Sequence, residues 1–183
     1  MLISPRELFE LFLSGEVSAL LYAFINWGLL MALLVNIVNY SEPRNRPTSA
    51  LWICVVVCLS YTATSFVGRE LSKYLIWMAA DLITILLLVI VQSKRQRIAS
   101  FYYCILVLLL NALLHLVIYI DVAFFDNYDP WWLWSIYAVG VNVNDLVLVI
   151  ALILNKDFLG FCRLGTSVNK HSLKRIKRQE SNG

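Results

Sequence analysis

The residues best able to do chemistry in this chain are two aspartates that lie inside long apolar stretches. Asp81 and Asp145 each have no other charged residue within seven positions. A carboxyl group in hydrocarbon is costly unless it faces a partner or water, so its presence there indicates a site. Such a group can carry a proton, and His115, the one histidine in these stretches, is a candidate proton partner or pH-sensitive element.

Amide side chains add to this pattern. Asn111 and His115 are four residues apart, and Asn142 and Asp145 are three apart, so each pair shares one face of a helix. The alternative is that these groups only bond one another and hold the helices together, at about 0.6 to 2 kcal/mol per contact. In either case the sequence predicts an intramembrane polar site formed by Asn26, Asp81, Asn111, His115, Asn142 and Asp145.

Known intramembrane reactions require residue patterns that this sequence lacks. Asp81 and Asp145 are the only candidate pair for an aspartyl protease, but neither stands in the glycine-aspartate signature that such proteases carry. No serine lies in a glycine-flanked elbow, and the four cysteines form no C-x-x-C pair. A second histidine, His171, lies far along the chain, which argues against a multi-histidine metal site. We therefore expect no catalysis, no metal and no cofactor.

Five apolar runs must position these polar residues. Of the 183 residues, 60% are hydrophobic and only 15% are charged, and the mean hydropathy is +0.73, which is typical of an integral membrane protein. The runs do not alternate in polarity, so they predict helices rather than spanning strands. We predict an all-α bundle of five transmembrane helices over residues 20–38, 50–67, 74–91, 98–120 and 131–154.

The distribution of Lys and Arg predicts the orientation of the bundle. Twelve of the fifteen fall in the first loop, the third loop and the tail, and three fall on the opposite side. Because loops rich in these residues stay on the cytoplasmic side, we expect the N-terminus outside and the C-terminus inside. If the source is bacterial, the membrane is the inner (plasma) membrane. The polar site then lies in the outer half, and Trp131, Trp132 and Trp134 form an interfacial belt.

Both ends of the chain differ from the transmembrane region, residues 17–154. Residues 1–16 predict a short interfacial helix, and residues 155–183 form a polar tail. In the tail a basic cluster is suited to acidic lipid headgroups or a cytoplasmic protein, although it also fits an ordinary topogenic signal. Nucleic acid is not an expected partner because no aromatic residues interleave the cluster. The cluster consists of Lys174, Arg175, Lys177 and Arg178.

Small residues recur every fourth position on two of the predicted helices. Ser60, Thr64 and Gly68 lie on the second, and Gly28 and Ala32 on the first, where they would let another backbone approach closely. That backbone belongs to another copy, to a partner membrane protein or to a neighbouring helix of this chain. We expect a non-enzymatic sensor, assembly or accessory subunit. The rival is a small proton-coupled transporter or an oligomeric channel, although apolar inner halves argue against a pore through one subunit.

Overall fold

The computed structural model contains five helices and no strand within the residues that it describes. These residues are 15–41, 48–65, 73–93, 95, 98–128 and 131–157. The helices are α1 Gly15–Ser41, α2 Ser49–Thr64, α3 Lys73–Gln92, α4 Ala99–Phe125 and α5 Trp132–Leu154. The predicted all-helical class is confirmed. The proposed interfacial helix over residues 1–16 lies outside the described residues except for its last two positions, which belong to α1.

Four helices, α1, α3, α4 and α5, are long and apolar enough to cross a membrane. The fourth of these is described to within one residue of its predicted bounds. Helix α2 is apolar but has only 16 residues, which is about 24 Å at the usual rise and less than the thickness of bilayer hydrocarbon. Of the predicted span over 50–67, the described part is helical to Thr64 with a turn at Ser65, and positions 66 and 67 lie outside the described residues.

The prediction that α4 ends near residue 120 is wrong because the next residue, Asp121, continues the helix. The helix runs on to Phe125. Asp121 is buried, and its carboxylate accepts hydrogen bonds from the indole nitrogens of Trp131 at 3.0 Å and Trp134 at 3.2 Å. These donors replace water around the charge, so Asp121 is tolerated inside the helix. Two tryptophans of the predicted interfacial belt thus also tie the end of α4 to the start of α5.

Successive helices run in opposite directions, and α5 packs back against α1, so the five helices close into a ring. The start of α1 meets the end of α2 where the Tyr22 hydroxyl donates to Ser65 Oγ at 2.5 Å. At the opposite end the Asn36 amide of α1 donates to the Leu152 carbonyl of α5 at 3.0 Å. We call the end that holds Trp131 the tryptophan end and the end that holds Arg95 the arginine end.

An apolar layer fills the middle of the ring on the arginine side of the polar residues. Four helices each contribute one fully buried side chain to this layer. Leu148 follows Asp145 by one turn on α5, and Leu108 precedes Asn111 by one turn on α4. The apolar layer comprises Val57, Leu88, Leu108 and Leu148.

Helices α1 and α5 approach closely at Gly28. A Cβ atom at this position would stand 2.8 Å from Cγ1 of Val149, which is closer than side chains tolerate. Glycine therefore allows the close contact between two helices of the same chain, as small residues do in membrane helix packing. One turn further along α1, Ala32 is fully buried.

Candidate functional site

A cavity of about 310 Å³ opens in the tryptophan-end half of the bundle, with lining residues on all five helices. The structure brings every residue of the predicted polar site to this cavity. They reach it from α1, α3, α4 and α5: Asn26, Asp81, Asn111, His115, Asn142 and Asp145. Helix α2 contributes hydroxyl side chains, among them Ser60 and Tyr61.

Asp145 lies at the buried end of the cavity and is held by two donors from two other helices. The hydroxyl of Tyr61 on α2 donates to Asp145 Oδ1, and the amide of Asn111 on α4 donates to the same oxygen at 2.8 Å. Asn144 in turn donates to the amide oxygen of Asn111 at 2.9 Å. This chain of hydrogen bonds joins α2, α4 and α5, so it fixes the position of the carboxyl group.

Asp81 faces the same cavity but is held much less firmly. Its Oδ2 atom lies 3.7 Å from Nε2 of His115. This contact is an ion pair only when the imidazole is protonated. Among the residues that the structure describes, this buried oxygen has no hydrogen-bond partner. On the other side of the imidazole ring, Nδ1 of His115 lies 3.0 Å from the hydroxyl of Tyr137.

Aromatic rings form the wall of the cavity between Asp81 and the tryptophan end. Tyr74 packs edge-on against Trp77, with 5.9 Å between the ring centroids, and against Tyr137 at 5.8 Å. The ammonium group of Lys73 lies 4.8 Å from the Tyr74 centroid and 5.6 Å from that of Trp77. A cation over the face of an aromatic ring is attracted by the negative charge of that face. The rings of this wall therefore already contact one cation, the ammonium group of Lys73.

Two of the predicted site residues satisfy their amide groups within their own helices. Asn26 donates to the carbonyl of Tyr22 at 3.0 Å, and Asn142 donates to the carbonyl of Ala138 at 2.7 Å. They line the cavity without joining helices, unlike Asn111. Asn144, which the sequence reasoning did not select, makes the interhelix bond instead.

Sequence reasoning also missed the aromatic and cationic part of the site, because it selected only aspartate, asparagine and histidine within the predicted spans. A spacing signal was present on α3. Lys73, Trp77 and Asp81 follow one another at intervals of four residues, which places them along one stripe of the helix. Tyr61 and Tyr137 carried no such signal, since their role depends on side chains of other helices.

The residues proposed for assembly contact other parts of the chain itself. Ser60 Oγ lies 2.5 Å from the hydroxyl of Thr84 on α3, and Thr64 bonds the backbone carbonyl of Tyr61. Gly28 lies against α5, as described above. Gly68 lies outside the described residues.

The basic tail cluster, Lys174 to Arg178, also lies outside the described residues. The first tail residues contact the bundle at the arginine end. The Asn155 amide donates to Asn36 Oδ1 at 3.0 Å, and the Tyr103 hydroxyl donates to Asp157 at 2.8 Å. The start of the tail is thus attached to α1 and α4.

No group of three or more potential metal ligands occurs within the described part of the chain. The cavity offers two carboxyl groups, one imidazole, one ammonium group and several hydroxyls, which suit the binding of a small polar molecule. Comparison with known proteins gives no further guide, since no family model, no curated protein and no solved structure matches this chain.

Proposed function

We propose that this protein is a non-enzymatic membrane subunit that binds a small polar ligand in the cavity. Binding changes the packing of the helices, and this change is transmitted to a partner. It crosses the membrane five times with α2 as the second span, the tryptophan end lies outside, and the basic tail lies in the cytoplasm. The partner is another membrane protein, a cytoplasmic protein held by the tail, or further copies of this chain. The convergence of polar side chains from five helices on one cavity carries this proposal.

The shape and lining of the cavity support a binding role. Ligand sites in proteins are concave and mostly apolar, with a few polar groups that converge to fix orientation, and their volumes begin at about 300 Å³. This cavity has a volume of about 310 Å³. Apolar wall is supplied by Ile25, Ala138 and Val141, and polar groups approach from Asp81 and Asp145.

The apolar layer supports binding over continuous passage. Val57, Leu88, Leu108 and Leu148 are fully buried and separate the cavity from the arginine end. An aqueous pathway through one subunit requires polar lining along its length. A ligand that enters the cavity instead changes the contacts among the helices around it, and the attachment of Asn155 and Asp157 to α1 and α4 offers a route to the tail.

Two contacts favour the rival function, proton-coupled transport. Asp81, His115 and Tyr137 form a short series of groups able to exchange protons, with 3.7 Å and 3.0 Å between successive polar atoms. Transport through these residues would require the apolar layer to open by movement of whole helices. Proton or solute flux in vesicles that contain only this protein would favour this rival.

Affinity purification in mild detergent with mass spectrometry tests the proposal. The full chain is compared with a chain that ends at Asn155 and with two matched variants, Asp145→Asn in the cavity and Asp126→Asn in the exposed turn after α4. We expect to recover a partner with the full chain. Its recovery should be lost with the tail, changed by Asp145→Asn and unaffected by Asp126→Asn. A homo-oligomer of the same size in all four samples, together with flux in vesicles, would contradict the accessory role and support transport.

A further inference from the structure

We infer that the cavity takes a small organic cation, a protonated amine whose ammonium group lies between Asp81 and the aromatic wall formed by Tyr74, Trp77 and Tyr137. This inference rests on the proposed function, because it names the ligand class of the same cavity. The chemistry is that of an alkylammonium group, which occurs both in free amines and in the headgroup of an aminophospholipid.

The first argument is the difference between the two carboxyl groups. Asp145 Oδ1 already accepts hydrogen bonds from Tyr61 and Asn111. Asp81 Oδ2 is buried and has no hydrogen-bond partner in the described part of the chain. A buried acceptor without a donor is unfavourable, and an ammonium group supplies three donors in one small group. Asp81 is therefore the carboxyl group that a cationic ligand would satisfy.

The second argument is that the wall next to Asp81 can bind a cation by its ring faces. The Lys73 ammonium lies 4.8 Å from the Tyr74 centroid and 5.6 Å from the Trp77 centroid. Lys73 lies two turns before Asp81 on the same stripe of α3, nearer the tryptophan end. Trp77 also packs against His115, with 5.4 Å between the ring centroids, so the aromatic wall continues from the lysine to the imidazole beside Asp81. The ligand cation occupies this deeper part.

The third argument is the charge of the cavity. Besides Asp81 and the tyrosine hydroxyls, the titratable groups that line the cavity are Lys73 on α3, His115 on α4 and Asp145 on α5. Helices α1 and α2 contribute only uncharged side chains to the lining. A cation that enters the cavity favours the ionised form of the carboxyl groups beside it. An anion would instead meet both carboxyl groups in a region of low dielectric, which is unfavourable.

Equilibrium dialysis of labelled butylammonium against the full chain in phosphatidylglycerol nanodiscs tests this inference, with empty nanodiscs as the blank. Butanol and butyrate serve as neutral and anionic analogues of the same size. We expect saturable binding of butylammonium alone. Asp81→Asn should weaken it about 10- to 100-fold, because a hydrogen bond between two charged groups is lost. Asp126→Asn, the same change in an exposed turn, should leave the affinity unchanged.

Two further variants keep the test decisive if Asp81→Asn does not fold. Trp77→Phe should weaken binding about threefold because the smaller ring attracts a cation less. Lys73→Gln should tighten it about threefold because a like charge is removed. Size-exclusion profile and unfolding temperature identify variants that remain folded. Repetition in nanodiscs with added phosphatidylethanolamine separates the two sources, since competition assigns the site to a lipid headgroup and its absence to a free amine.

The inference is overturned if butanol binds as tightly as butylammonium, or if folded Asp81→Asn retains the affinity. It is also overturned if butyrate binds and Lys73→Gln abolishes that binding, in which case the ligand is an anion. These outcomes leave the partner experiment untouched. A wrong ligand class and a wrong proposed function therefore produce different results.

Discussion

The two halves of the bundle differ in the side chains that lie between the helices. In the half at the tryptophan end, polar groups from five helices face one cavity, and several of them bond across helices. In the half at the arginine end, the helices meet through the fully buried apolar layer. Hydrocarbon does not drive apolar side chains together as water does. Hydrogen bonds around the cavity therefore hold one half of the ring, and close packing together with the bond from Asn36 to Leu152 holds the other.

Buried polar residues also occur in the arginine-end half, but several of them have no partner on a neighbouring helix within the described residues. Gln92 is buried, and neither its amide oxygen nor its amide nitrogen has a partner within the described residues. The hydroxyl of Ser100 is likewise buried without one. Asp145, by contrast, is met by donors from two helices. Convergence from several helices distinguishes the cavity from isolated buried polar groups.

The largest expected effect is a test of close packing in the apolar layer. Leu108→Ala removes a fully buried side chain and should destabilise the protein by about 3 kcal/mol, because the space left cannot close completely. Leu109→Ala, one residue further along and 53% exposed, should have little effect. Unfolding monitored by circular dichroism in detergent measures both. Equal losses for the two variants would show that this half is not closely packed.

The approach of α1 to α5 should be the next most sensitive feature. Gly28→Ala places a methyl group 2.8 Å from Cγ1 of Val149 and should cost about 2 kcal/mol through overpacking. Gly140→Ala is the matched control, because its new atom would meet only the flexible end of Leu114. The unfolding temperature of each variant tests this difference. The added change Val149→Ala should recover part of the loss, and failure to do so would contradict the contact.

Hydrogen bonding in the cavity half should contribute a smaller amount. Tyr61→Phe removes the hydroxyl that donates to Asp145 and should cost about 1 kcal/mol, in the range of interhelix hydrogen bonds in membrane proteins. Tyr102→Phe makes the same change on an exposed face of α4 and should be neutral. The same unfolding measurement applies. If the two substitutions are equivalent, the hydrogen bonds around Asp145 do not stabilise the bundle.

The smallest expected effect concerns the buried amide of Gln92 at the arginine end. Gln92→Met keeps the length of the side chain and removes polar atoms that have no partner in the described part of the chain. We expect unchanged stability or a gain of up to about 1 kcal/mol, since replacing an unsatisfied buried polar group is often favourable. A clear loss of stability would show that Gln92 is bonded and would weaken the contrast between the two halves.

The sequence by itself determined the helical class, the apolar character of four helices long enough to cross a membrane, and the bounds of α3 and α5 to within one residue. A spanning helix must satisfy its backbone hydrogen bonds internally, so each apolar run predicts its own structure without knowledge of its neighbours. For this reason residues 74–91 agree within one position of Lys73–Gln92. The error at Asp121 arose where a neighbouring segment decided the outcome, because Trp131 and Trp134 supply the hydrogen bonds that keep a charge inside the helix.

Only the tertiary structure decided which polar residues are partners. The sequence placed Asp81 and Asp145 on helices of similar character, and their difference arises from the rotation and contacts of the helices around them. Tyr61 and Asn111 reach Asp145, whereas Asp81 faces His115 and the aromatic wall. These contacts join residues far apart in the chain. Spacing within one helix carries no information about them, since side-chain pairing between helices depends on how the whole ring packs.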